Sequence, residues 1–177
     1  MAAHGLHQPK DFQFVLAGAH PQRWEALQAG TLDAAIQLVP FNYLAEESGF
    51  PNLGDVDDYV PDFLFCAVCT RLSWAEEHAK QLTGLLRALR RGTEALYEDP
   101  EGAAATIAGD MQGNLDHARR ACRDLIAKKA IPKDLAVGPA AFAATIDAMT
   151  RSNLIAAGQP AADLTDCADF RFLAAAA

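Results

Sequence analysis

The 177-residue chain lacks any apolar run near the ~20 residues that cross a bilayer, which excludes a membrane-spanning helix. Basic residues are also scarce: 15 Lys and Arg face 23 Asp and Glu, and the net charge is -8. This acidity argues against nucleic-acid binding and against docking on an anionic membrane surface. Apolar residues make up 51% of the chain, so the composition predicts a folded domain with a sizeable core.

Catalytic motifs are missing as well. The sequence contains no G-x-S-x-G, no Walker A and no H-E-x-x-H pattern, and it offers no catalytic residue, metal-ligand set or cofactor motif. A small enzyme with His20 as general base is an alternative, but the sequence gives His20 no identifiable carboxylate or nucleophile. We therefore expect a protein that is not an enzyme and that needs no cofactor.

The four cysteines do not form a recognisable zinc or redox site. Cys66 and Cys69 have C-x-x-C spacing, but no second pair and no H-x-x-x-H pattern completes the motif. Their apolar flanks predict a strand, on which residues three apart point to opposite faces, so we expect two buried, inert thiols. Cys122 falls on the apolar stripe of a predicted helix and is expected in the core, whereas the sequence leaves the redox state of all four, Cys167 included, open.

The first fifty residues alternate between predicted strands and helices. Strands are expected at 12–16 and 33–39, and each is followed by a proline that suits the first turn of a helix. Gly30 and Gly49 are expected to end these helices, because glycine adopts the left-handed cap conformation readily. Strand–helix units at this spacing predict parallel strands and therefore an α/β fold.

The later part of the chain is mainly helical after a third expected strand at 63–70. Four helices are predicted from residues that are typical of a helix start. These are a Ser73/Glu76 capping box, Asp99-Pro100, Asn114, and Pro139, whose helix should end near 157. A last edge strand is predicted at 169–173. The pattern divides the chain into a partial α/β lobe with two strand–helix units, 1–55, and a part with a crossover strand and helices, 56–177.

Acidic residues concentrate in the first 70 positions, where nine Asp and Glu accompany only Lys10 and Arg23. A cluster lies between two apolar stretches; it consists of Asp55, Asp57, Asp58 and Asp62. Such a cluster could bind a cation, but a solvated loop is the more common structure for it.

A set of motif residues lies in a fixed order and spacing between positions 5 and 53. Gly5-Leu6 comes first, an R-x-x-A-L-x-x-G-x-x-D-A pattern covers 23–34, and Pro40 and Gly49-Phe50 follow. In this order and spacing the chain resembles the solute-binding proteins of ABC importers for nitrate, sulfonates, taurine and thiamine-pyrimidine precursors. The resemblance extends through the long helix and the Asp99-Pro100 restart, over almost the whole chain.

The resemblance implies a type II periplasmic-binding-protein-like fold, in which two α/β lobes clamp a ligand. This chain would supply the C-terminal portion: the end of one α/β lobe and the helix-rich part of the other. A fragment and a true half-size protein are both open. The resemblance implies a periplasmic location, whereas residues 1–6 lack a signal-peptide pattern, so a chain complete as given would be cytoplasmic.

Two loops are the candidate solute site, because ligands of open α/β sheets bind beyond the carboxyl ends of the strands. The resemblance implies the same loops. Their residues are Gly18, Ala19, His20, Gln22 and Arg23 in the first loop, and Pro40, Phe41 and Asn42 in the second. Glycine lets the backbone approach a ligand, and the N–H groups at the start of the following helix favour an anion.

Each of these side chains also has a purely structural interpretation. Arg23 contacts the ligand or pairs with Glu25 or Asp33, and His20 is either a ligand contact or an exposed loop residue. Phe41 stacks on a planar solute or belongs to the core, while Asn42 could hydrogen-bond a solute.

The function implied by the resemblance is that of the substrate-binding component of an ABC importer, or a truncated remnant of one. It would bind a small anionic or aromatic solute and deliver it to an ABC permease. The alternatives are an effector-sensing domain of a transcriptional regulator and a half-protein that binds nothing. An incomplete sheet would expose an apolar edge strand, so we also expect a homo-oligomer or poor solubility.

Overall fold

The computed structural model describes residues 4–156 and 163–177, and 54% of this part is helical. The chain divides into two compact units, Met1–Asn52 and Leu53–Ala177. In the described part, no helix is long and apolar enough to cross a membrane.

The first helix of the first unit, α1, spans His20–Gln28, with a proline in its first turn. Gly30 follows it in the left-handed conformation, with φ +68°. The Gly30 N–H donates to the carbonyl of Leu27 (3.1 Å) and the Thr31 N–H donates to that of Ala26 (3.0 Å). These two bonds satisfy carbonyls that the end of the helix leaves free, and they confirm the predicted glycine cap.

The second helix of this unit, α2, spans Phe41–Glu47 and ends in the same way. Gly49 has φ +86° and donates its N–H to the Glu46 carbonyl at 3.0 Å. The Phe50 N–H donates to the Ala45 carbonyl at 2.9 Å. The second predicted cap is therefore confirmed as well.

The core of the first unit is small and lies where α1 and α2 pack together. Trp24, Leu27 and Tyr43 are its buried side chains, and Tyr43 is only 1% exposed. The Trp24 ring also meets Phe50 edge-on, with ring centroids 5.6 Å apart. This packing fixes the two helices and the loops that precede them.

The predicted α/β, periplasmic-binding-protein-like sheet is wrong for this structure. Among residues 4–156 and 163–177 there is no β-strand, and the segments 12–16, 33–39 and 63–70 are unpaired. Most of their apolar side chains are exposed, as at Leu16 (102%) and Phe65 (67%). A strand is stabilised by hydrogen bonds and side-chain pairs with a neighbouring strand, so a strand-like sequence alone does not produce a sheet.

The second unit consists of a short 3-10 helix, Val56–Asp58, and seven α-helices in its described part. The α-helices are α3 (Leu72–Glu77), α4 (Ala79–Glu98), α5 (Pro100–Asp110), α6 (Leu115–Ala127), α7 (Pro139–Arg151), α8 (Leu164–Cys167) and α9 (Arg171–Ala174). Helices α4, α5 and α6 contact one another around a core of Leu96, Ala104, Ala118 and Cys122.

Two of the predicted helix starts are confirmed by their side-chain hydrogen bonds. The Asp99 carboxylate accepts from the Gly102 N–H at 3.0 Å, at the start of α5. The Asn114 side-chain oxygen accepts from the N–H groups of Asp116 (2.7 Å) and His117 (3.2 Å), at the start of α6. Both side chains thus satisfy donors that the first turn leaves without a helical partner.

Other details of the predicted second half are wrong. Ser73 lies inside α3, which starts after Arg71 without a side-chain cap, so there is no capping box. The segment 169–173 is not a strand, because the Asp169 carboxylate accepts from the Arg171 N–H (3.0 Å) and helix α9 begins there. Helix α7 ends at Arg151, and residue 157, its predicted end, lies outside the described residues.

The cysteines differ sharply in exposure. Cys122 is fully buried, as expected, and its burial raises the pKa of its thiol above the ordinary value. Cys66 and Cys69 are exposed, which makes the expectation of two buried thiols wrong, and Cys167 is exposed too. The segment 63–70 has no sheet to bury it, and this explains the difference.

A thiol titration tests this arrangement. We expect a small disulfide reagent to modify three cysteines of the reduced native chain, and the fourth only after denaturant is added, because a buried thiol is shielded from the reagent. Cys122→Ala should remove the late phase and leave the early one unchanged. Modification of all four thiols under native conditions would contradict the core placement of Cys122.

Candidate functional site

Arg23 is the centre of the polar contacts in the first unit. It lies on α1 one turn after His20, and its Nη1 donates to the Ile36 carbonyl at 3.0 Å. Its Nη2 lies 3.3 Å from His20 Nε2. A guanidinium has only donors, so His20 Nε2 accepts here and the ring carries its proton on Nδ1.

Six side-chain polar atoms are buried without a hydrogen-bond partner in the described part of the chain; one is Arg90 Nε on α4, and the other five belong to the first unit. These five are His20 Nδ1, Arg23 Nε, Gln37 Nε2, Gln37 Oε1 and Asn42 Oδ1. Buried polar groups are nearly always hydrogen-bonded, and leaving one unpaired costs about 1 to 3 kcal/mol. Five such atoms on four residues are therefore a concentration that needs a physical explanation.

Four residues carry these atoms, and we call them the polar cluster: His20, Arg23, Gln37 and Asn42. Hydrogen bonds to the two neighbours of Gln37 in the chain connect them. Gln37 directly follows Ile36, whose carbonyl accepts from Arg23. The Asn42 N–H donates to the carbonyl of Leu38, on the other side of Gln37, at 3.2 Å. These two bonds tie the extended segment before α2 to Arg23 on one side of Gln37 and to Asn42 on the other.

The remaining residues of the first predicted loop surround the start of α1. Gly18 has φ +84°, and a Cβ added there would lie 3.4 Å from the Gln22 side chain. The Ala19 carbonyl accepts from the Arg23 N–H at 3.0 Å. Gly18, Ala19 and Gln22 are all exposed, so they line the approach to α1 and contribute no buried unpaired atom.

The second predicted loop places Pro40 and Phe41 beside Asn42 at the start of α2. Both are partly buried. The Pro40 carbonyl accepts from the N–H groups of Tyr43 and Leu44, each at 3.1 Å, and so its role in the structure is to start the helix. Ligand contact by the eight predicted residues stays a prediction.

The structural alternative for Arg23 does not hold in the described residues. Arg23 forms no ion pair there with Glu25 or Asp33, and both acids are exposed. Its partners are a carbonyl and an imidazole, which leaves its positive charge without a carboxylate.

Gln37 is a member of the polar cluster that the sequence prediction missed. It is the one polar side chain in the apolar segment 34–39, just before the predicted loop. A polar residue within a predicted apolar strand is the signal that could have identified it, since such a side chain needs a polar partner when it is buried.

The acidic cluster of the second unit is occupied by a lysine. Lys128 Nζ donates to Asp55 at 2.6 Å and to Asp57 at 2.9 Å, and these carboxylates raise the pKa of its ammonium group above the ordinary value. Asp58 joins Asp55 in capping the short 3-10 helix. Within the described ranges, no group of three or more His, Cys, Asp or Glu side chains is placed to hold a metal.

The second unit also has two shallow surface hollows. They are lined by Ala79, Lys80, Thr83 and Arg87, and by Tyr97, Lys129, Pro132 and Lys133. Neither contains a predicted site residue. His117, on α6, is buried, at 7% exposure.

Residues 1–103 match the model of the protein family described as NMT1/THI5 like. Because the match covers more than half of the chain, the chain belongs to this family, which is associated with ABC solute-binding proteins. The family assignment confirms the resemblance found in the sequence. Comparisons with curated proteins and with solved structures gave no match.

Proposed function

We propose that this chain is a solute-binding component of an ABC importer and that the polar cluster of its first unit holds the solute. The observation that carries this proposal is the set of five buried polar atoms without partners in the described part of the first unit. Three of the four residues involved, His20, Arg23 and Asn42, also belong to the loops that the sequence predicts as the site.

The electrostatics of the polar cluster favour a solute with acceptor atoms. Arg23 Nε and His20 Nδ1 are both donors, and the arginine charge has no carboxylate partner in the described residues. Charge-assisted hydrogen bonds to a cationic donor are stronger than neutral ones. An anionic or strongly polarised group of the solute is therefore the natural partner of this side of the cluster.

The proposed activity is binding and not catalysis. The polar cluster contains no carboxylate, hydroxyl or thiol, so it offers an imidazole without a nucleophile or a second acid–base group. The solute would pass to a permease, and the proposed site of action is the periplasm.

A thermal-shift screen tests the proposal. The purified chain would be heated with nitrate, taurine, ethanesulfonate or 4-aminopyrimidine, each compared with KCl at the same ionic strength. A solute at 100 times its Kd stabilises the folded state by about 2.7 kcal/mol, which gives a clear rise in Tm. A Tm that none of the solutes raises beyond the KCl control would contradict the proposal.

We also propose that two copies of the chain associate through the exposed segment 12–16. The segment Phe12-Gln13-Phe14-Val15-Leu16 carries no charge, so two copies can meet there without the repulsion that a net charge of -8 creates elsewhere. Leu16 is fully exposed and Phe14 is 71% exposed. An exposed strand-like segment with free backbone groups is a template for pairing.

Sedimentation equilibrium tests this association. We expect the wild-type chain to show a mass that rises with concentration, and Leu16→Lys to stay monomeric, because a buried lysine at the pairing site is unfavourable. Gln28→Lys, an exposed substitution at the end of α1, is the matched control and should associate like the wild type. A wild-type chain that is monomeric at all concentrations would refute the association.

A further inference from the structure

We infer that Gln37 determines the specificity of the polar cluster, and that the solute presents an N–H donor beside its acceptor atoms, as a primary carboxamide does. The inference rests on the proposed function, since it concerns the same site. Beyond that function, the solute has a defined chemistry, and Gln37 recognises it.

The unpaired atoms of the polar cluster include both donors and acceptors. Three are donors: His20 Nδ1, Arg23 Nε and Gln37 Nε2. Two are acceptors: Gln37 Oε1 and Asn42 Oδ1. A solute that satisfies the site must therefore accept from the first group and donate to the second.

A simple oxyanion meets only half of this requirement. Its oxygens accept from Arg23, His20 and the Gln37 amino group, but they have no hydrogen to offer to Gln37 Oε1 or Asn42 Oδ1. Binding would place oxyanion oxygens against the buried acceptors Gln37 Oε1 and Asn42 Oδ1. A site that forms a hydrogen bond to a donor of its ligand rejects an analogue without that donor. A primary carboxamide has a carbonyl oxygen for the donors and an N–H for the acceptors.

Gln37 is the member of the cluster with an unpaired donor and an unpaired acceptor on one side chain. Its neighbours in sequence are both fixed, because the Ile36 carbonyl accepts from Arg23 and the Leu38 carbonyl accepts from the Asn42 N–H. The backbone that carries Gln37 is therefore held on both sides, and a side-chain amide with a free donor and a free acceptor can form two parallel hydrogen bonds with an amide of the solute.

Isosteric pairs of probes test the inference. Kd values would be measured by calorimetry for benzamide against benzoate and for ethanesulfonamide against ethanesulfonate, with the panel of the thermal-shift screen alongside. We expect the amide member of at least one pair to bind at least tenfold more tightly than its acid. Gln37→Met should remove this preference by weakening the amide at least tenfold while changing the acid less than threefold.

Two controls separate a specific role from a structural one. Gln28→Met makes the same substitution at an exposed position of the first unit and should keep the amide preference. Gln37→Glu keeps the size of the side chain and replaces the Nε2 donor by an acceptor, so it should also weaken the amide at least tenfold. If Gln37→Met does not fold, the Kd values of Gln37→Glu are compared with those of the wild type instead.

The outcomes distinguish this inference from the proposed function. Tighter binding of the acids, equal losses of amide and acid in Gln37→Met, or binding of a panel oxyanion without any amide, would overturn the inference and leave solute binding intact. If the wild-type chain binds none of the compounds, the proposed function fails and the inference fails with it.

Discussion

Replacing Arg23 with methionine should reduce solute binding at least about 100-fold, which corresponds to about 2.8 kcal/mol. Methionine keeps an apolar stem but removes the donor at Nε and the bonds to the Ile36 carbonyl and to His20. The solute would lose its cationic partner, and the extended segment before α2 would lose its link to α1. The measurement is Kd by calorimetry, with the best solute from the panel.

The controls for this variant separate charge, geometry and folding. Arg91→Met changes an exposed arginine of α4 in the second unit and should leave Kd unchanged. Arg23→Lys keeps the charge but lacks the planar fork that reaches two partners at once, so we expect an intermediate loss. An Arg23→Met variant that is folded and binds as tightly as the wild type would remove the polar cluster from the site.

Tyr43→Ala should destabilise the first unit by about 3 to 5 kcal/mol, the usual cost of removing a large buried aromatic side chain. Tyr43 is 1% exposed, and among the described residues of this unit it is one of three buried apolar side chains, with Trp24 and Leu27. A core of this size gives the unit a small free energy of unfolding, so the Tyr43→Ala variant should unfold in mild denaturant. Unfolding of the first unit is measured by the fluorescence of Trp24 in a Trp74→Phe background.

Tyr59→Ala is the matched control, because Tyr59 is 64% exposed and lies in the second unit. Its effect on the unfolding of the Trp24 signal should stay within about 0.5 kcal/mol, as for most surface substitutions. Equal effects of the two alanine variants would mean that α1 and α2 do not share the core described above.

The local features of the fold could be predicted from the sequence because they depend on residues close together in the chain. Gly30 and Gly49 end their helices, and Asp99 and Asn114 cap theirs, through contacts within a few positions. The predicted sheet failed for the opposite reason. Its strands needed partners distant in sequence. The alternation of apolar residues indicates only that a segment can pair with a neighbouring strand, not that such a strand is present.

The candidate site shows the same limit at the level of single residues. His20, Arg23 and Asn42 were predicted because they follow apolar segments at a spacing that the family shares. Gln37 was missed, because within a predicted strand it counted only as one position of the apolar pattern. Its importance depends on burial and on missing partners, which only a three-dimensional structure shows.

The central claim is that the polar cluster is where a solute binds, and side-chain NMR tests it most directly. The ¹⁵N-labelled chain would be titrated with a solute that raises its Tm, while the Arg23 Nε–H and Gln37 NH₂ signals are followed; Arg23→Lys and Gln37→Met assign them. The account predicts that both signals move and saturate together at the solute's Kd. A solute that binds while both signals stay unchanged would contradict it.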